Sequence, residues 1–127
     1  IFVEILLWLS FTKNLIPVQM TFEGRNFDII TGLLALPTGY AIAKRNKYSR
    51  LIIFGFNIAG LILLANILVV AVLSMPTSLR MFMNEPANSI VGYFPFIYLP
   101  GVLVVLALAL HIFSLRQLSV TSSSPKS

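Results

Sequence analysis

The run from Leu51 to Met75 contains 25 residues and not one ionisable side chain. A helix of about 20 apolar residues crosses the roughly 30 Å hydrocarbon layer of a bilayer, so this run is long enough to span a membrane. The basic sequence KRNKYSR, at positions 44–50, stands directly before it. Because Lys and Arg in short loops tend to stay on the cytoplasmic side, this pairing predicts a membrane span that starts in the cytoplasm.

The composition favours the same interpretation. Hydrophobic residues make up 57% of the chain and charged residues 10%. Soluble domains carry about 25% charged residues, so this chain has too few polar groups to cover a water-facing surface. It has no cysteine, which excludes disulfides, thiolate metal sites and cysteine nucleophiles.

Four apolar segments predict an all-α integral membrane bundle that forms a single domain over residues 1–118. The expected spans are about 1–16, 27–43, 51–75 and 96–115. The first is a little short, and we expect it to continue upstream or to lie tilted in the interface. Residues 76–95 are too apolar for a free loop and are expected to lie on the outer membrane surface. The tail 119–127 is expected to be disordered.

The net charge of +5 follows a topology pattern. Suppose that the N-terminus, loop 44–50 and the C-terminus face the cytoplasm. That side then carries one acid, Glu4, and six basic residues: Lys44, Arg45, Lys47, Arg50, Arg116 and Lys126. The other side balances Lys13, Arg25 and Arg80 against Glu23, Asp28 and Glu85. The distribution of charge therefore predicts the orientation of the chain in a bacterial inner membrane. The expected partners are the lipid bilayer and other membrane subunits, and not nucleic acid.

Small residues recur at helical spacing in the second and third segments. These positions are Gly32, Ala35, Gly39 and Ala43, followed by Gly55 and Ala59. Small side chains let helix backbones approach closely in lipid, so both faces are predicted to be helix contacts. The contacts lie within this chain or with another subunit, and the sequence leaves both open.

Two amides stand inside the longest apolar run. Asn57 and Asn66 are nine residues apart, which places them on opposite faces of a helix. They are interpreted as interhelical hydrogen-bonding groups or, alternatively, as part of a conduction path. Pro37, followed by Thr38, predicts a kink in the second span.

His111 is the strongest single candidate for chemistry, since it lies in the last span with Ala107 one turn earlier. The spacing resembles the Ala-xxx-His pattern of bacterial antenna polypeptides. That resemblance implies a haem or (bacterio)chlorophyll ligand, whereas the residue type also fits a hydrogen-bonded histidine or a proton-transfer group. One histidine excludes a bis-histidine haem held by this chain alone.

No catalytic constellation is recognisable. The chain has no phosphate loop, no dinucleotide-binding glycine pattern and no metal-ligand spacing of histidines and carboxylates. The acids Glu23, Asp28 and Glu85 are expected to pair with Arg25 or Arg80. The sequence therefore predicts a protein that is not an enzyme, with no catalytic residue and no metal site.

Three stretches, PVQMTFEGRNFDI (17–29), YFPFIYLPG (93–101) and HIFSLRQL (111–118), resemble a group of small multi-spanning bacterial membrane proteins with no assigned function. The resemblance covers residues 17–118, implies a bacterial integral membrane protein and carries no catalytic residue with it.

The leading functional expectation is a non-catalytic accessory or scaffold subunit that packs against a larger membrane complex of respiratory or photosynthetic type. The alternative is a small oligomeric transporter or channel with Asn57, Asn66, Pro37 and Asp28 near its path. A third possibility is a subunit that binds haem or chlorophyll through His111.

Overall fold

The computed structural model describes residues 2–44 and 49–122, and within them the chain is helical, with no strand. Four α-helices follow one another: α1, Phe2–Thr12; α2, Asp28–Ala43; α3, Ser49–Ser74; and α4, Val105–Ser122. A π-helical segment, Leu99–Val104, leads directly into α4. Short 3-10 turns form at Val18–Met20 and Ile90–Gly92.

The central element is α3, which packs against α2 on one side and α4 on the other. Its two neighbours run antiparallel to it. Near the start of α3, the Arg50 guanidinium donates to the backbone oxygen of Leu118, 2.7 Å away, at the end of α4. The end of α2, the start of α3 and the end of α4 therefore lie at one end of the bundle, together with Lys44, Arg50 and Arg116.

Two stretches are long and apolar enough to cross a membrane, Arg50–Ser74 and Leu99–Val120. The other two helices are shorter than a bilayer requires, since α1 reaches about 17 Å and α2 about 24 Å at 1.5 Å per residue. The last helix also continues beyond its predicted end at residue 115. It extends through Ser122, so the tail expected to be disordered from residue 119 begins as helix; residues 123–127 lie outside the described part.

The first helix ends earlier than residue 16 because its backbone turns. Asn14 adopts a left-handed conformation with φ 56°. The N–H of Leu15 donates to the Ser10 oxygen and that of Asn14 to the Phe11 oxygen, the pattern of a Schellman cap. The turn directs Ile16 into the core. This core joins α1 to the second half of α3 and consists of Leu7, Ile16, Met20, Leu64, Ile67 and Val70.

The segment after α3 folds back over the end of that helix instead of forming a loop away from it. The backbone N–H groups of Met81 and Phe82 both donate to the Leu73 oxygen. Asn88 is fully buried, and its side chain donates to the Ala71 oxygen while its backbone N–H donates to Ser74. The final carbonyls of a helix have no partner within it, so these donors stabilise the end of α3. Val91 of this segment is buried, whereas Met81, Met83, Tyr93 and Phe94 remain exposed.

Candidate functional site

One described feature that can hold a ligand is an apolar cavity of about 290 Å³. Its walls come from all four α-helices and from the π-helical segment before α4, and include Leu7, Leu64, Ile67, Leu103, Val104 and Ala107. Along α3 the lining extends from Gly60 to Met75, a distance of about 22 Å at the helical rise. The cavity is therefore long and narrow, and we call it the interhelical cavity.

Two carboxyl groups stand on one wall of the interhelical cavity. Glu4 is only 5% exposed, and its Oε2 accepts a hydrogen bond of 2.7 Å from the Asn26 side chain. The oxygen of the same amide accepts from the backbone N–H of Asp28 at 3.1 Å. Asn26 thus holds Glu4 and the start of α2 together, so that both acids line the same space.

This geometry corrects the expected placement of Glu4 on the side of the basic loop. Glu4 lies beside Asp28, at the start of α2, whereas Lys44 lies at the other end of that 16-residue helix. The two acids were assigned to opposite sides of the membrane, which their common contact with Asn26 does not allow. No local sequence pattern indicates this pairing, because 22 residues separate Glu4 from Asn26.

A third polar group belongs to the same wall. The Thr31 hydroxyl is buried and has no hydrogen-bond partner within the described residues. Thr31 lies one helical turn after Asp28, and Gly32 beside it also lines the cavity. Four oxygen-bearing side chains, with Asn26 as the fourth, therefore line a cavity whose remaining lining is apolar apart from His111.

His111 lines the interhelical cavity from α4 and is fixed by α3. Asn57, which is 3% exposed, donates from Nδ2 to the Ile53 oxygen and to Ser114 Oγ, each at 2.8 Å. Its Oδ1 is therefore an acceptor, and it lies 2.8 Å from His111 Nδ1. In the neutral ring, Nδ1 then carries the proton and Nε2 keeps its lone pair. Asn57 and His111, with Ser114, form a polar cluster between two apolar helices.

Gly60 of α3 lies directly against the His111 ring of α4. A Cβ placed on Gly60 would lie 2.4 Å from Cε1 and 2.6 Å from Nε2 of His111. The edge of the ring that a haem or chlorophyll metal ion would approach thus lies against α3. Ligation by His111 stays a prediction, and an absorption spectrum that a His111→Leu variant bleaches is its test.

The small residues selected from the sequence lie elsewhere. A Cβ on Gly39 or Gly55 would meet nothing within 4 Å, so neither position is a close contact inside this chain. Gly39 instead lines an open groove of about 420 Å³ between α2 and α4, together with Ala35 and Leu110. We call this the α2–α4 groove. Ala43 is exposed and Ala59 half-buried.

The remaining polar candidates, Asn66 and Thr38, donate hydrogen bonds to backbone oxygens. The Asn66 side chain donates to the Arg25 backbone oxygen at 2.7 Å, which joins α3 to the segment before α2. Thr38 Oγ1 donates to the Leu34 oxygen at 2.7 Å, next to Pro37, which lies inside α2 and is exposed. Of the four residues expected along a transport path, only Asp28 lines the interhelical cavity.

The two acids outside the cavity, Glu23 and Glu85, have partners. Arg80 and Glu85 form an ion pair of 2.9 Å within the segment after α3. Glu23 accepts a hydrogen bond of 2.6 Å from the Trp8 indole. These contacts leave Glu4 and Asp28 as the acids that border the cavity.

A family model described as a domain of unknown function (DUF8737) matches residues 4–119. No curated protein and no solved structure matches the chain.

Proposed function

The chain belongs to the DUF8737 family, a domain of unknown function, and we propose that it is a non-catalytic integral membrane subunit that packs against a larger membrane complex. The observation that carries this proposal is the exposure of the last helix. In the most apolar 18-residue stretch of Leu99–Val120, no residue is buried inside the chain. Such a surface needs lipid or another protein to cover it.

The α2–α4 groove indicates that a protein helix, and not lipid alone, covers part of this exposed surface. Lipid tails gain little from small side chains, whereas a neighbouring helix can approach its partner closely where Ala and Gly line the surface. Ala35 and Gly39 lie in this groove, and Gly39 has open space where a Cβ would be. The groove therefore fits one helix of a partner subunit of respiratory or photosynthetic type.

The proposed orientation puts the basic end of the bundle in the cytoplasm of a bacterial cell. The contact between Arg50 and the end of α4 supports it, because it places Arg116 and Arg50 at the same end of the bundle. Lys and Arg near the ends of spans set the orientation more strongly than acids do. On this view α3 and α4 cross the inner membrane, and the shorter α1 and α2 pack beside them.

Gentle detergent extraction, followed by native mass spectrometry, tests the proposal. We expect the chain to migrate with other membrane subunits at a fixed stoichiometry. Migration as a lone monomer or as a pure homo-oligomer would contradict an accessory role. A homo-oligomer would instead support the second candidate, a small transporter or channel. The observation that favours this candidate is the position of Asp28 and Glu4 on the wall of the interhelical cavity.

A further inference from the structure

We propose that the interhelical cavity holds one acyl chain of a bilayer lipid, which enters beside the end of α3 and runs along that helix toward the middle of the membrane. The inference rests on the membrane location given under the proposed function. It goes beyond the accessory role, because it concerns a space inside the chain and needs no partner subunit.

The chemistry of the lining selects hydrocarbon. Apart from five polar side chains, the cavity is lined by apolar residues and glycines. Three of these polar side chains are bonded within the protein: Asn26 donates to Glu4 and to the Met20 oxygen, and His111 Nδ1 is paired with Asn57. The Thr31 hydroxyl is buried and offers no polar surface to a ligand. An occupant therefore gains most from apolar contact along the walls.

The shape of the cavity selects a single extended chain. An apolar cavity of about 150 Å³ holds one benzene molecule, so the volume of about 290 Å³ accommodates roughly twelve carbon atoms. This volume is spread along about 22 Å of α3, from Gly60 to Met75. The space is too narrow for a partner helix, which is about 10 Å across, and too long for a compact ring system.

The position of the cavity along α3 matches one leaflet of a bilayer. Met75 directly follows the apolar stretch Arg50–Ser74, and Gly60 lies close to the middle of that stretch. One leaflet contributes about 15 Å to the hydrocarbon core, and its acyl chains extend from the surface toward the centre. A chain in the cavity would follow the same course as the chains of the lipids around the bundle.

The route into the cavity lies between α1 and α4. Val3 and Leu103 line the cavity from these two sides, whereas α4 packs on α3 and not extensively on α1. Leu103 is 43% exposed, so its side chain borders both the cavity and the outer surface. No residue is buried in the most apolar stretch of the last helix, which is the surface that lipid would cover. Since protein interiors keep few voids larger than a water molecule, lipid at this opening would fill the space.

The test is photolabelling of the full chain in phosphatidylcholine nanodiscs with two phosphatidylcholine probes. One probe carries a diazirine at the end of an acyl chain, and the other carries it close to the headgroup. Tandem mass spectrometry identifies the labelled residues. We expect the first probe to label the deep end of the cavity, around Leu64 and Ala107, and the second to label the end near Met75 and Leu99. Identical labelling by the two probes would overturn the proposal.

Variants that fill the cavity locate the site. Ala71→Leu and Val104→Phe enlarge side chains in the lining and should lower the labelling inside the cavity at least fivefold. Ala65→Leu and Val105→Phe are the matched controls, since they lie on the same two helices, are exposed and do not line the cavity. They should leave the labelling within twofold. Two filling variants on different helices keep the test decisive if one fails to fold, and equal labelling of filled and control variants would overturn the assignment.

Labelling of the exposed face of α4, at Val105 and Leu106, reports the membrane location by itself. If this face is labelled and the cavity is not, the membrane location stands and the lipid site is wrong. If neither is labelled, both are wrong. Native mass spectrometry of extracted complexes measures the partner subunits, so failure of the accessory role is a separate result.

Discussion

The side-chain oxygen of Asn57 lies 2.8 Å from Nδ1 of His111 and connects the middle of α3 to α4. The same amide donates to Ser114 one turn further along α4. Since both helices are otherwise apolar at this level, these bonds fix the register between them. Hydrogen bonds between membrane helices contribute about 0.6 to 2 kcal/mol each, so the cluster is a measurable part of the α3–α4 contact.

Replacing Asn57 by Leu removes both interhelical bonds and leaves His111 Nδ1 without its partner. A buried donor left unpaired costs about 1–3 kcal/mol. We expect Asn57→Leu to destabilise the protein by about 2 kcal/mol in thermal or denaturant unfolding in micelles. Ile62→Leu, at an exposed position on the same helix, is the control and should leave the stability unchanged. Equal stability of the two variants would show that the cluster does not hold the helices.

Gly60→Ala tests the close contact between α3 and the His111 ring. The new Cβ would lie 2.4 Å from His111 Cε1, and Asn57 restrains the ring from moving away. Overpacking of this kind costs about 1–3 kcal/mol. At Gly39 and Gly55 a Cβ meets nothing within 4 Å, so Ala should be neutral there or stabilise the helix by up to about 1 kcal/mol. Differential scanning of the three variants in one detergent gives the comparison.

A double variant checks the cause of that destabilisation. If the His111 ring produces the clash, His111→Ala should relieve most of the cost of Gly60→Ala, since it removes the atoms that the new methyl group meets. An additive result would place the strain elsewhere in α3.

The sequence predicted the elements whose signal is local. The run 51–75 corresponds closely to α3, Ser49–Ser74, because an uninterrupted apolar stretch has few alternatives to a helix. The predicted start of the last span, residue 96, was less accurate, since the helical segment begins at Leu99. Pro95 and Pro100 lie near that boundary. Helix ends depend on turns such as the one at Asn14, which hydrophobicity does not specify.

The candidate site was predicted only in part, because its contacts join distant residues. His111 was selected by its residue type, yet its partner Asn57 is 54 positions away. The small-residue pattern selected Gly55 and missed Gly60, since which glycine meets α4 depends on the rotation of α3 in the bundle. Glu4 was treated as a terminal charge, and its place beside Asp28 follows from the turn after α1.

The proposed orientation can be measured because the chain has no cysteine of its own. We expect a membrane-impermeant maleimide, added to intact cells, to label Leu79→Cys, which is 65% exposed in the segment after α3. Lys44→Cys, at the basic end of the bundle, should react only after the membrane is permeabilised. The opposite pattern would invert the orientation, and labelling of both variants in intact cells would contradict a crossing between them.

The accessory role predicts that a larger side chain in the α2–α4 groove weakens binding of the partner subunits. Gly39→Leu fills space that a partner helix would occupy, whereas its Cβ would meet nothing within 4 Å inside the chain. We therefore expect this variant to lose co-purifying subunits while it keeps its thermal stability within about 1 kcal/mol, the range of a helix glycine substitution. Val69→Leu enlarges an exposed side chain on α3 outside the groove and should retain them. Quantitative mass spectrometry of the extracted complexes measures the difference. If the two variants retained the same subunits in the same amounts, the groove would have to face lipid instead of protein.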